Sequence, residues 1–368
     1  MSLPDPVAKP AALGATDRFL PVWILAAMAL GLALAVFVPE FGDALHSFSI
    51  GSVSVPIAIG LLVMMYPVLA KVRYSDARAV AGDRKLLYSS LVMNWLLGPA
   101  LMFALAWAFL PDLPEYRTGL IIVGLARCIA MVMIWNDLAC GDREAAAFLV
   151  AVNSVFQVVA FSALGWFYLQ MLPSWLGLPT TSASFSLWAI TLSVLVFLGI
   201  PLIAGYLSRR FGEATRGRVW YEATFLPKVG PFALYGLLFT IVMLFALQGQ
   251  QVIDRPLDVV RIAVPLLVYF AVTFFIGFVL GKLIGLSYER TTTLAFTAAG
   301  NNFELAIAVA IGTFGAASGQ ALAGIVGPLI EVPVLVGLVY VALWLRPRMF
   351  PARKALPVHT ELPVADRV

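Results

Sequence analysis

Long apolar runs alternate with short polar segments along almost the whole chain. Ten of these runs are long enough to cross the hydrocarbon core of a membrane as helices, which takes about 20 residues each. Charged residues concentrate in the segments between the runs. The pattern predicts an all-α polytopic membrane protein with ten transmembrane helices. The predicted runs cover 19–38, 53–70, 87–110, 118–137, 145–171, 185–207, 228–248, 260–284, 291–313 and 321–345.

The overall composition also indicates a membrane protein. Of the 368 residues, 61% are hydrophobic and 12% are charged, whereas a soluble domain is roughly half apolar and about a quarter charged. The net charge of +4 does not indicate nucleic-acid binding, because the basic residues are sorted by loop and form no single patch. We therefore expect the lipid bilayer, and no nucleic acid, as a partner.

The basic residues lie mainly on one side of the predicted membrane. Of the 24 Lys and Arg residues, all but four fall in the loops and tails of that side. The opposite side has Arg117, Arg255 and Arg261, and Arg127 lies within a run. Cytoplasmic loops carry the excess of basic residues in membrane proteins. We therefore expect a multi-pass protein of the plasma membrane with both termini in the cytoplasm.

The fourth and ninth runs contain matching stretches. Cys128 and Glu304 are 176 residues apart (304 − 128 = 176), and so are Gly124 and Gly300. Each half then has five crossings, so the second copy enters from the opposite side, as in the inverted repeats of secondary transporters. We expect helices four and nine to be interrupted and to cross near the midplane. The same offset relates Gly60-Leu61-Leu62 to Gly236-Leu237-Leu238. The predicted units are a cytoplasmic tail at 1–18, repeats at 19–171 and 185–345, and a second tail at 346–368.

Polar residues inside the ninth run are candidates for function, because burying them in a membrane is unfavourable. Asn301 and Asn302 follow Gly300, and this combination is a poor helix former, so we expect a break that lines a cavity. Burial disfavours the charged form of a carboxyl group, which suits Glu304 to proton coupling. The alternative is a structural role, in which Arg127 neutralises Glu304 or the Asn residues bond neighbouring helices.

Other residues of these runs are weaker candidates. Glu331 lies between Pro328 and Pro333, where a broken helix would admit water. Trp135 and Asn136 could cap the fourth helix or lie at the interface. Asn153 and Gln157 are four residues apart, so they could bond another helix, although Asn153 could also reach a cavity.

Cys128 is the candidate soft ligand. A buried cysteine is usually inert packing, but a cation such as the neighbouring Arg127 favours the thiolate, which binds soft metals. Cys140 is about 18 Å farther along a regular helix, so the two thiols cannot chelate one ion together. His46 and His359 lie outside the apolar runs. We therefore expect no resident metal, haem or other cofactor.

Several strings resemble those of one transporter family. Those around Cys128 and Glu304 resemble the fourth- and ninth-helix signatures of the arsenical-resistance arsenite efflux carriers, in the bile acid/arsenite/riboflavin transporter superfamily. The likeness spans nearly all ten runs, and it departs at Gly300, where many members have serine. A glycine there could loosen the helix break. The matching strings are Ala126–Val132 with Trp135–Leu138, Asn301–Ala308, Gly324–Pro333, Met64–Arg73 and Gly230–Thr240.

The resemblance implies export of arsenite, and of antimonite as a further candidate, by proton antiport. Cys128, Asn301, Asn302 and Glu304 would bind the substrate, with Cys128 as the arsenic ligand and Glu304 as the proton carrier. Arg127, Gly300, Trp135 and Asn153 would support the site.

Other classes of protein make different demands on the sequence. The chain has neither a phosphate-binding P-loop nor an H-E-x-x-H motif, so we expect no enzyme and no ATP-driven pump. A sodium-coupled organic-anion transporter of the same fold and a non-transporting membrane sensor stay as alternatives.

Overall fold

The structure is a computed structural model that describes residues 19–50, 53–71, 83–129, 131–180, 187–315 and 318–350. The predicted tail at 1–18 lies outside these residues. Of the predicted tail at 346–368, residues 346–350 are described, and residues 346–349 continue the last helix.

Helices form nearly all of the described chain, which confirms the all-α class. The described strands, Ser49–Ile50 (β1) and Val53–Ser54 (β2), form one short antiparallel hairpin. A helical stretch made of Arg218–Trp220, Tyr221–Phe225 and Leu226–Val229 precedes α9. The helices are α1 (Leu20–Phe37), α2 (Pro39–Ser47), α3 (Val55–Ala70), α4 (Arg84–Phe109), α5 (Pro114–Leu125), α6 (Val132–Leu138), α7 (Arg143–Trp175), α8 (Trp188–Arg216), α9 (Pro231–Asp254), α10 (Pro256–Leu283), α11 (Tyr288–Ala299), α12 (Phe303–Phe314) and α13 (Gly319–Met349).

Six helices in the described residues are long and apolar enough to span a membrane, which identifies a multi-pass protein. They are α4, α7, α8, α10, α13 and the stretch Arg218–Gln250 that contains most of α9. Shorter apolar helices lie in α1, α3 and α12. The fourth and ninth predicted runs coincide with helix pairs, α5 with α6 and α11 with α12.

Four π-helical turns interrupt the long helices, and each precedes a proline. In every case the amide just before the proline donates to the carbonyl five residues earlier, as from Gly98 to Met93. Proline has no N–H and its ring clashes with the carbonyl four residues back, so the helix widens locally to accommodate it. The turns are Met93–Leu97, Phe167–Met171, Leu195–Gly199 and Tyr221–Phe225, followed by Pro99, Pro173, Pro201 and Pro227.

The helices pack in two groups. One group contains α1, α3, α8 and α9, and the other contains α4, α5, α10, α11 and α13. Helix α12 contacts α5 and α13 in the second group, and α3 and α8 in the first. The helix that begins beside Glu304 therefore lies at the boundary between the groups.

Helices α3 and α9 cross at two glycines. A Cβ atom added to Gly236 would lie 2.7 Å from the backbone N of Met64, and a Cβ atom added to Gly60 would contact Oγ1 of Thr240. The two contacts are related by the 176-residue offset of the sequence match. Gly60 corresponds to Gly236, and Met64 corresponds to Thr240 (240 − 64 = 176). Because Gly60 and Gly236 have no side chains, helices α3 and α9 can approach each other closely.

We expect Gly236→Ala to destabilise the protein by about 1–3 kcal/mol, because overpacking at a backbone contact forces the helices apart. The thermal unfolding midpoint of the purified protein in detergent should fall. Gly337→Ala is the matched control, since no atom lies within 4 Å of a Cβ at that position. Equal midpoints for the two variants would show that the crossing is not tightly packed.

Candidate functional site

Two helix breaks meet in the core of the second group. One break separates α5 from α6, and the other separates α11 from α12. The Cys128 N–H donates to the Gly300 carbonyl at 3.3 Å, and the Asn302 N–H donates to the Ala126 carbonyl at 3.0 Å. Arg127 and Asn301 face each other as an antiparallel bridge. The predicted break after Gly300 is therefore present, and its backbone pairs with the break at Cys128.

The register of the two breaks differs from the sequence match. Helices α5 and α11 each have 12 residues, and their starts are 174 residues apart (288 − 114 = 174). By this register Cys128 corresponds to Asn302, and Glu304 corresponds to position 130, which lies outside the described residues. At α5 and α11 the offset is therefore two residues shorter than in the sequence match, and Cys128 and Glu304 both lie beside the same crossing.

Each asparagine caps one of the broken helices. Nδ2 of Asn301 donates to the Val123 carbonyl at 2.7 Å and to the Ala126 carbonyl at 3.2 Å, where α5 ends. Oδ1 of Asn302 accepts from the Leu305 N–H at 3.0 Å, where α12 begins. Oδ1 of Asn301 and Nδ2 of Asn302 are buried and have no hydrogen-bond partner in the described chain. One acceptor and one donor are therefore available beside the crossing.

Cys128 is buried against the bare backbone of Gly300. Its Sγ accepts from the Val132 N–H at 3.3 Å, which holds the sulfur beside the start of α6. A Cβ atom added to Gly300 would lie 3.0 Å from the Cys128 Cβ and 3.5 Å from Sγ. The absence of a side chain at Gly300 therefore leaves space beside the thiol.

Glu304 differs from its neighbours on α12 in its exposure. It is partly exposed, whereas every other residue of 301–311 is buried. Glu304 is therefore the least buried residue of this stretch, at the first turn of α12.

Glu331, a weaker candidate from the sequence, is a second carboxyl group of the site. Its Oε1 accepts from the Asn301 N–H at 3.3 Å, and it interacts electrostatically with Glu304. The expected break around Glu331 is wrong, because α13 is continuous through Pro328 and Pro333 and Glu331 is 1% exposed. The signal in the sequence that identifies Glu331 is a carboxyl group within an apolar run.

Arg127 stabilises the break through uncharged partners. Its Nη1 donates to the Tyr269 hydroxyl at 2.7 Å, its Nη2 donates to the Gly124 carbonyl, and its backbone N–H donates to Oε1 of Gln157. In the described residues Arg127 forms no salt bridge, so the alternative in which it neutralises Glu304 is not supported. Its guanidinium instead binds a carbonyl at the end of α5.

Trp135 and Asn153 are buried near the break. Trp135 is fully buried on α6, so its predicted place at the membrane interface is wrong. Oδ1 of Asn153 accepts from Nε1 of Trp95 at 3.1 Å, which is the helix-bonding role expected of it. Asn136, also fully buried, accepts through Oδ1 from the Thr293 hydroxyl at 2.8 Å.

Comparison with known proteins identifies the family. A family model described as the sodium bile acid symporter family matches residues 58–255. An arsenical-resistance protein Acr3 of Corynebacterium glutamicum is 62% identical over 350 residues, which cover 95% of each chain. The chain belongs to the Acr3 family. The family resemblance inferred from the sequence is confirmed.

More distant relatives also align with nearly the whole chain. An Acr3 protein of Alkaliphilus metalliredigens is 32% identical over 340 residues, which cover 90% of this chain and 93% of the relative. An uncharacterized transporter of Synechocystis is 36% identical over 355 residues, which cover 91% of this chain and 90% of the relative. The likeness to these relatives therefore covers nearly the whole chain.

We expect Glu331→Gln and Glu331→Leu to differ, because glutamine retains an acceptor for the Asn301 N–H and leucine does not. A buried N–H without an acceptor destabilises a protein by about 1–3 kcal/mol. Glu331→Leu should therefore lower the thermal unfolding midpoint in detergent, and Glu331→Gln should stay near the wild type. If the two variants unfold at the same temperature, the hydrogen bond does not hold the break.

Proposed function

We propose that this protein exports arsenite from the cytoplasm and thereby confers arsenic resistance. The observation that carries the proposal is the buried Cys128 thiol at the crossing, beside two asparagines with unused hydrogen-bonding atoms. Two relatives that are named arsenical-resistance proteins support it.

The chemistry of the site fits neutral trivalent arsenic. Arsenite at neutral pH is mostly the uncharged trihydroxide, which needs a soft ligand and hydrogen-bonding groups more than a countercharge. Cys128 supplies the sulfur, and the free amide atoms of Asn301 and Asn302 supply one acceptor and one donor. When the As–S bond forms, the thiol proton and one arsenic hydroxyl leave as water, without a change of oxidation state.

A single thiol also suits a carrier. Transport requires binding that is weak enough for release, and one As–S bond is reversed by one water molecule. Groups of three or more metal-ligating side chains are absent from the described residues, in keeping with a transient site. Antimonite has the same ligand preferences, so we propose it as a second substrate.

We propose a proton antiport cycle in a ten-helix membrane domain. The domain would consist of inverted repeats at 19–171 and 185–345, with both termini in the cytoplasm. Arsenite would enter from the cytoplasm and bind Cys128 and the asparagines. A proton from outside would then reach Glu304, favour release and reset the carrier. Helix α12 suits this role, because it contacts both helix groups.

Everted membrane vesicles from cells without their own exporter test the proposal. An acidic lumen should drive arsenite uptake in vesicles that contain this protein, and antimonite should compete for uptake. Absence of uptake, with arsenite binding retained, would favour the non-transporting sensor instead.

Sodium coupling is the second candidate, because the matching family model is named for sodium symporters. Replacing sodium by choline in the same vesicles distinguishes sodium coupling from proton coupling. If uptake requires sodium and does not depend on the pH gradient, the transporter is coupled to sodium and not to protons.

A further inference from the structure

An open pocket of about 460 Å³ lies between the first turns of α4 and the end of α10. It is separate from the crossing of the broken helices. Both α4 and α10 are long and apolar enough to span a membrane. Because α4 begins at this point and α10 ends there, we expect the pocket to lie at the level of the lipid headgroups. Its lining residues are Arg84, Lys85, Tyr88, Ser89, Leu283 and Ile284.

The polar part of the pocket is positively charged. Arg84 and Lys85 are exposed, and neither forms a salt bridge within the described residues. Nζ of Lys85 donates to the Ile284 carbonyl at 3.0 Å, which fixes the amine at the pocket and leaves two further N–H donors. The nearby Asp83 carboxylate is already paired with Arg290. Among the described residues, the pocket therefore presents two cations without a paired carboxylate.

The apolar part of the pocket continues along the membrane-facing surface. Tyr88, Val92 and Leu96 follow each other at four-residue spacing on α4 and are 63%, 49% and 62% exposed. Val279 and Leu283 have the same spacing on α10 and are 47% and 77% exposed. These side chains border a surface that leads from the cations toward the hydrocarbon core, where acyl chains lie.

We propose that this pocket binds an acidic glycerophospholipid. Arg84 and Lys85 would contact the phosphodiester with charge-assisted hydrogen bonds, and the hydroxyl groups of Tyr88 and Ser89 would add neutral ones. The acyl chains would lie against the exposed side chains of α4 and α10. Basic pockets between membrane helices at the headgroup level bind acidic lipids in this way. The proposal is independent of the transported substrate.

The test measures lipid retention by native mass spectrometry of the purified full-length protein, with phosphatidylglycerol or phosphatidylcholine added. The wild type should retain phosphatidylglycerol preferentially, and R84Q/K85Q should retain it about tenfold less, since each basic residue near the headgroups contributes roughly a fivefold effect or less. The control R210Q/R216Q removes the same charge from exposed positions outside the pocket and should behave as the wild type. Equal retention by both double variants would overturn the proposal. Displacement of the lipid by excess inorganic phosphate would also overturn it, since that result identifies a site for soluble anions.

A measurement on the wild type avoids any effect of substitution on folding. In nanodiscs that contain phosphatidylglycerol, acylation of the Lys85 amine should be slower than in phosphatidylcholine nanodiscs. Lys228 is exposed and lies outside the pocket, so its rate corrects for the general surface potential. Equal slowing of Lys85 and Lys228 would contradict a lipid bound at the pocket.

Discussion

Cys128→Ser is expected to reduce arsenite uptake into everted vesicles by more than about tenfold. Serine has nearly the same size and can accept the Val132 N–H in place of sulfur, so the helix break should persist. Its oxygen is a hard ligand, however, and the soft arsenic–sulfur interaction is lost. A loss of about 1.4 kcal/mol in binding already corresponds to a tenfold change.

Cys140→Ser is the matched control for this result. Cys140 lies at the end of α6 with a φ of 57°, away from the pairing of the two breaks. Its replacement should leave uptake unchanged. Normal transport by Cys128→Ser would reduce the Cys128 thiol to a packing role, and the amides would then have to bind arsenite alone.

Glu304→Gln is expected to abolish the dependence of uptake on the pH gradient and to lower the driven rate by about 100-fold or more, the lower end of the range for a proton-transferring group. Glutamine matches the side chain in shape but carries no exchangeable acidic proton. Because Glu304 is the accessible residue of an otherwise buried stretch, the proton from outside should bind there. Uptake should be measured with and without an acidic lumen, at equal amounts of protein.

The same substitution at Glu331 is the matched control, since both carboxyl groups lie at the crossing. Glu331 accepts a backbone N–H and is 1% exposed, so its role in our account is to hold the break. Glu331→Gln should therefore keep most of the pH-driven uptake. Full proton-driven uptake by Glu304→Gln would remove Glu304 from the coupling step, and loss in both variants would mean that the two carboxyl groups share the proton.

The helices and one break could be predicted from local sequence. Apolar runs predict membrane helices because each run must bury its backbone polar groups internally. The Gly300-Asn301-Asn302 string predicts a break because these residues favour other backbone conformations. Family membership also followed from the sequence, because the strings around Cys128 and Glu304 are specific.

The remaining features depend on contacts between distant parts of the chain. The offset of 176 residues in the sequence match differs from the 174 residues between the starts of α5 and α11, because glycine and alanine recur in any apolar sequence and align at more than one offset. The partner of Arg127 is Tyr269, 142 residues away, and no local signal indicates that pair. Prolines beside Glu331 suggested a break, yet membrane helices accommodate proline when neighbouring helices satisfy the freed backbone groups.

We propose above all that this protein couples a proton gradient to the movement of arsenite through the Cys128 site. The most direct measurement is arsenite uptake by sodium-free proteoliposomes that contain the purified protein and an acidic interior. Our account predicts that arsenite accumulates above its external concentration and that Cys128→Ser abolishes the accumulation. Uptake that stops at equal concentrations, or accumulation that persists unchanged in Cys128→Ser, would contradict it.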